Sequence, residues 1–336
     1  TKNGQQNTSV VDFAAAPIVF EFGNPGRAGT TLRLDFDGQL GKLLQVGARL
    51  TFNIADFFMV DGRFAFSKSS SSISLPKPDI LGVPQAPEVV PVDMLTIGGA
   101  DIFAFVGADG PYLVDTDGDG KLLNSDGSID DGDTPNEDAF GLSMGGLDFA
   151  LAMIKRRKDA TSGTDKRKWT VLKAKAGHTT FVGIDDVDME VRNGVVEISR
   201  AGGTKNGQAN TTFIDFSRDP LSLSTGGLPI VVDFAGEQLR VQGYVTFRVV
   251  DFVFVEGGLS FSKSTLNLSA VNPLLPVNEP VTVNAITLGS DDLDVFVGLN
   301  GPYRTDTNGD GLITDADGVN DDAVGLSMSQ VNLAYA

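Results

Sequence analysis

The sequence predicts an all-β protein made of tandem repeats, β-sandwich-like or β-solenoid-like, and three observations lead there. Apolar residues recur at every second position over long stretches, as at Val46, Ala48, Leu50, Phe52 and Ile54. That period puts them on one side of a strand and scatters them around a helix. The opening TKNGQQNTSVVDF of Thr1 to Phe13 returns as TKNGQANTTFIDF from Thr204 to Phe216, and long internal self-similarity marks an array. No stretch long enough to form a helix shows a helical period.

The two copies stay aligned with gaps. FSKS at Phe66 matches Phe261, FVGADGPY at Phe105 matches FVGLNGPY at Phe296, and GLSM at Gly141 matches Gly325. The shrinking spacing places two deletions in the second copy, one opposite Ala14 to Asp35 and one in the acidic stretch after Asp126. Residues 1–203 read as one complete repeat and 204–336 as a partial one, its last residue Ala336 equivalent to Ala152. Thr1 begins in mid-pattern with no signal peptide before it, so a signal for export is expected to lie outside this stretch.

Taken in order, Val46 to Ile54 reads as a half-buried strand, repeated by Val241, Gly243, Val245, Phe247 and Val249. Phe57 to Phe66 is the next strand, with a bulge or bend expected at Asp61-Gly62. Ser67 to Ser74 and the Pro-rich Pro76 to Pro91 read as a polar connection, and Met94 to Val106 as a strand. Leu142 and Met144 give way to Leu147, Phe149 and Leu151, a slip of phase at Gly145-Gly146 that predicts a bulge. Trp169 to Ala176 and Thr179 to Ile184 follow as strands. Val187 to Val191 and Val195 to Ser199 flank Asn193-Gly194, the strongest short hairpin signal.

Two acidic twelve-residue stretches stand at matching places: DTDGDGKLLNSD from Asp115 to Asp126, and DTNGDGLITDAD from Asp306 to Asp317. Each follows the D-x-[DN]-x-D-G pattern of a calcium loop, in which alternate residues offer side-chain oxygens to a hard cation. The expected ligands are Asp115, Asp117, Asp119, the carbonyl of Lys121 and Asp126 in the first loop. In the second they are Asp306, Asn308, Asp310, the carbonyl of Leu312 and Asp317. Gly120 and Gly311 fall at the sharp turn, and apolar Leu122 and Ile313 follow, which would anchor each loop to a core. Position 12 is Asp rather than the Glu of an EF-hand, and no amphipathic helix precedes either loop. Glu137, Asp138, Asp321 and Asp322 either complete the metal shells or solvate the loops.

Composition narrows the function. There are 26 Lys+Arg against 44 Asp+Glu, a net charge of −18, which opposes binding to nucleic acid and suits neutralisation by divalent cations. Cysteine is absent, so metal is the available staple in an oxidising space. No run of about 18 apolar residues offers a membrane-spanning helix. The one His is His178, and without Cys or G-x-S-x-G the usual nucleophile–base constellations cannot be built, so no enzyme is expected. The basic run Lys155 to Lys168 reads as a solvated loop, or as a contact for an acidic calcium edge of a neighbouring repeat or chain.

On FSKS, FVGxxGPY, the DTDGDG loop and GLSM, the chain resembles repeat units of very large secreted bacterial calcium-binding proteins of the adhesin or surface-filament kind. Its loops resemble those of dockerins and thrombospondin type 3 repeats. That resemblance implies Ca2+, a cell-surface or extracellular setting, and partners that are other copies of the chain or a surface glycan. The expectation is therefore a calcium-stabilised structural module of a filament, adhesin stalk or surface layer, assembling through strand edges. Alternatives are a calcium-dependent carbohydrate or cell-surface binding module, or the non-catalytic part of a secreted hydrolase. Solvent-facing aspartates with open coordination positions would favour the glycan reading, a closed protein-only shell the structural one.

Overall fold

The structure is a computed structural model describing residues 10–22, 30–38, 41–77, 83, 85–119, 122, 132–158, 163–271, 278–307, 313–314 and 317–336. Ten long strands form one antiparallel sheet. They are β1 (Leu44–Ile54), β2 (Phe58–Leu75), β3 (Glu88–Ala108), β4 (Phe140–Arg156), β5 (Lys168–Val182), β6 (Val187–Gly202), β7 (Gln238–Val249), β8 (Val253–Val271), β9 (Asn278–Leu299) and β10 (Val324–Tyr335). Each is hydrogen-bonded to the next, so the sheet is a meander in strict sequence order from edge to edge. No α-helix occurs among the described residues, and none is long and apolar enough to cross a membrane.

All-β is thus correct, but the ten strands make a single sheet where a sandwich or solenoid was expected. Tight turns such as Ala55–Phe57 join neighbours directly, and antiparallel pairing needs no crossover. The sheet also runs without a break past the boundary at 203 and 204, because β6 pairs with β7 from Val187↔Val249 to Ser199↔Gln238.

The main core lies on one face of β2–β5. Leu75, Val90, Val92, Met94, Ala150, Ala152, Ile154, Trp169 and Val171 form it, and the connection between β6 and β7 covers it. That connection carries a small hairpin, Leu221–Leu223 paired with Ile230–Val232. It buries Ile214, Phe216, Leu223, Ile230 and Val232 against the sheet, each worth roughly 1.5–3 kcal/mol before ordering costs. Gly98 permits the close approach: a Cβ there would run into the Ser224 carbonyl and Thr225 Cα. Trp169 Nε1 donates to Thr212 O at 2.7 Å and pins the far end.

Several local expectations change. β1 was expected to be half-buried, yet it is exposed along its whole length, because it is an edge strand with neither face covered. Ser67 to Ser74 belongs to β2 rather than to a connection; Ser67 Oγ and Thr96 Oγ1 lie 2.6 Å apart across the ladder. Asn193-Gly194 does not turn a hairpin. Asn193 has φ 52°, and β6 stays paired to both neighbours on either side of a register shift between Arg192 and Val195. Bulges do occur near Asp61-Gly62, where the β2–β3 ladder slips, and near Gly145-Gly146, where the β3–β4 ladder slips between Met144 and Leu147. The basic run is not simply solvated. Arg167 is 3% exposed, and its Nη2 lies 2.7 Å from Asp165 Oδ2 and 2.8 Å from Glu88 Oε1. Arg157 Nε reaches Asp93 at 3.2 Å.

Candidate metal centre

Each acidic loop leaves the sheet from a turn of the same construction. Three residues before the ends of β3 and β9 stand Phe105 and Phe296, both buried. Glycines at 110 and 301 let the rings lie against the backbone, since a Cβ at either would strike the ring, and both Gly-Pro bonds that follow are cis. Asn136 Nδ2 donates to Asp109 O at 2.7 Å and Pro111 O at 3.2 Å. Asn320 Nδ2 does the same with Asn300 O at 2.7 Å and Pro302 O at 3.0 Å. The apolar anchors sit beneath the loops. Leu122 packs against Phe103, Phe105, Leu113 and Ala139, while Ile313, 6% exposed, packs with Phe254 and Phe296.

In the first loop Asp115, Asp117 and Asp133 each place a carboxylate oxygen within 4.8 Å of the others. Asx-type bonds shape the strand of ligands: Gly118 N–H donates to Asp115 Oδ1 at 2.7 Å, and Asp119 N–H to Asp117 Oδ1 at 3.0 Å. Asp133 is 9% exposed. Its Oδ1 accepts the Thr116 N–H at 2.7 Å, whereas its Oδ2 is buried with no hydrogen-bond partner. A buried carboxylate oxygen left unpaired is costly, and a cation among three carboxylates would relieve it. A hard divalent ion with oxygen ligands fits this donor set. Gly132 is needed beside it, because a Cβ there would collide with the Asp117 carboxylate.

Of the residues expected from sequence, Asp115 and Asp117 come together and Asp119, though exposed nearby, is not in the cluster. Lys121, Asp126, Asn308, Asp310 and Leu312 lie outside the described residues. Asp306 is exposed, and Asp317 is 5% exposed, its Oδ1 accepting from Thr307 N–H at 3.2 Å and its Oδ2 from Thr314 N–H at 2.7 Å. Among the described residues no second three-carboxylate cluster forms there. Glu137, Asp138, Asp321 and Asp322 are exposed and outside the cluster.

Asp133 was missed by sequence reasoning, which took Asp126 as the closing ligand. Asp133 and Asp317 instead occupy matching places, each accepting the N–H of the Thr that follows the first loop aspartate. The signal was present: each stands three residues before the Asn of N-E-D or N-D-D, in step with GLSM. The extra residues of the first loop therefore precede Asp133. No protein-family model, curated protein or solved structure matches this chain.

Proposed function

We propose that the chain is a calcium-stabilised, non-catalytic structural module that self-associates at the cell surface, as a building block of an extracellular filament, adhesin stalk or surface layer. One observation carries this reading: the buried Asp133 carboxylate, one of its oxygens unpaired, clusters with those of Asp115 and Asp117. The −18 charge and the lack of cysteine support it, since the ion would both neutralise and staple. Edge strands β1 and β10 present large apolar residues such as Phe52, Leu326 and Leu333 to solvent, surfaces suited to pairing with another copy.

A site filled to about 100 times its dissociation constant adds roughly 2.7 kcal/mol. Titration calorimetry with calcium should therefore show binding, and excess chelator should lower the melting temperature. No heat of binding together with an unchanged melting temperature would end this reading. A second reading, calcium-dependent glycan binding, draws on the exposure of Asp115 and Asp117. Glycan capture that requires calcium, by a chain that stays monomeric, would favour it.

A further inference from the structure

We propose that residues 10–22 and 30–38 of one copy dock on the open sheet face of β8–β10 in a second copy, as residues 210–235 dock on β2–β5 within the chain. The inference rests on the self-association reading above and specifies its contact. The donor is a close counterpart of the docked segment. V-V-D-F ending at Phe13 matches F-I-D-F ending at Phe216, and Pro17 matches Pro220. Its hairpin has the same register: Ile18↔Leu34 corresponds to Leu221↔Val232, and Phe20↔Leu32 to Leu223↔Ile230. Burial differs sharply. Ile214 is 5% exposed against 65% for its counterpart Val11, and Ile18 and Phe36 are exposed as well.

The acceptor shows the reverse. Val90 and Val92, under the docked segment, correspond to Val281 and Val283, and Ile73 corresponds to Leu268. Val90 is 2% exposed, Val281 38% and Leu268 51%. Where Gly98 admits the Thr225 turn, the second half of the sheet has Gly289, which a Cβ would leave open apart from Ser260 Oγ and Leu333 O. An open groove of about 390 Å3 lies there, lined by Arg240, Gly258, Ser260, Gly289 and Asp291. Two of these replace residues that face the docked turn, Gly289 for Gly98 and Asp291 for Ala100, and Ser260 replaces Ala65, which pairs with Gly98 in the ladder.

Within the chain donor and acceptor are not docked on each other, since Val11, Ile18, Val281 and Leu268 are all exposed. The contact is head-to-tail and does not close, so it propagates.

The test is velocity sedimentation of the whole chain in millimolar calcium. V11D/I18D disables the donor, and G289L fills the acceptor groove. Both changes fall at solvent-facing positions, so circular dichroism and the calcium shift in melting temperature should match wild type. Wild type should form open-ended oligomers. Each variant alone should associate at least about tenfold more weakly, and an equimolar mixture should stop at a 1:1 dimer, since one donor and one acceptor remain. Variants that assemble like wild type, or a mixture that stays monomeric, overturn this contact and leave self-association by strand edges standing. A wild-type monomer at all concentrations overturns both.

Discussion

The Thr116 N–H donates to one oxygen of Asp133, and the other oxygen of the same carboxylate is buried without a partner. One side chain thus folds the loop and adds its carboxylate to the cluster with Asp115 and Asp117. Asp133→Asn separates the two roles, because the amide oxygen can keep accepting from Thr116. In chelator, D133N should be about 1 kcal/mol more stable than wild type, the buried unpaired charge being gone. In calcium it should lose most of the roughly 2.7 kcal/mol that a filled site supplies. Thermal melts in both buffers check this; equal calcium stabilisation of the two proteins would remove Asp133 from the site.

Gly98 and Gly289 occupy matching positions but face different surroundings. A Cβ on Gly98 would sit 2.7 Å from Thr225 Cα and overlap Ser224 O, while Gly289 has only the movable Ser260 Oγ at 2.9 Å as a near neighbour. Gly98→Ala should cost about 1–3 kcal/mol through displaced backbone. Gly289→Ala should be within about 0.5 kcal/mol of neutral, helped by the lower entropy cost of Ala in a strand. Urea unfolding of both variants measures the difference.

What was legible in the sequence follows from how each feature is specified. β1 and β7 were readable because alternation of apolar residues encodes a strand directly. The Ser-rich half of β2 was not, since hydroxyl pairs hold it: Ser67 with Thr96, and in the second half of the sheet Ser262 with Thr287, each at 2.6 Å. Asn193-Gly194 misled for a different reason. The left-handed conformation that favours Asn in a tight turn also serves a bulge, and only the strands on either side decide which forms. The single sheet was unreadable because alternation fixes which residues share a face, and not what covers that face. Two of the three carboxylates of the candidate centre, Asp115 and Asp117, were visible as a motif; Asp133 required aligning the copies from their C-terminal side.

Arg167 is the buried cation of the core margin, held between Glu88 and Asp165. Arg167→Gln removes the cation shared by both carboxylates and leaves Glu88 to Lys205 at 2.7 Å and Asp165 to Arg156 at 3.7 Å, so it should cost about 1.5–3 kcal/mol, the worth of a charged hydrogen bond. Arg33→Gln is the control, because Arg33 and Asp35 are more than half exposed and 3.6 Å apart, a pair worth less than about 1 kcal/mol. The hydrogen bond from Arg167 holds the Glu88 carboxyl below its ordinary 4.5. Despite its burial, Asp165 is also held low by Arg167. Carboxyls lowered in the folded state add stability that is present above about pH 4.5 and disappears as pH falls through their lowered values. The gap between wild type and R167Q should therefore narrow between about pH 7 and about pH 3. A constant gap would show that the network contributes by packing alone.

Trp169 is the only tryptophan in the chain, and it reports on one seam. It stands on β5, 2% exposed, and its indole N–H reaches across to Thr212 O at 2.7 Å. Thr212 begins the segment that covers the sheet. Emission should accordingly be that of a buried indole in the native protein and shift to the red when the segment lifts away. Because Ile214, Phe216, Leu223, Ile230 and Val232 all pack into the same cluster as Trp169, lifting the segment exposes the core it covers. Fluorescence and far-ultraviolet circular dichroism should then trace one transition in urea. Trp169→Phe removes the hydrogen bond and leaves Thr212 O unpaired, at a cost of about 1–3 kcal/mol. If the red shift instead precedes the loss of strand signal, the segment is a separable unit whose docking is weaker than the sheet beneath it.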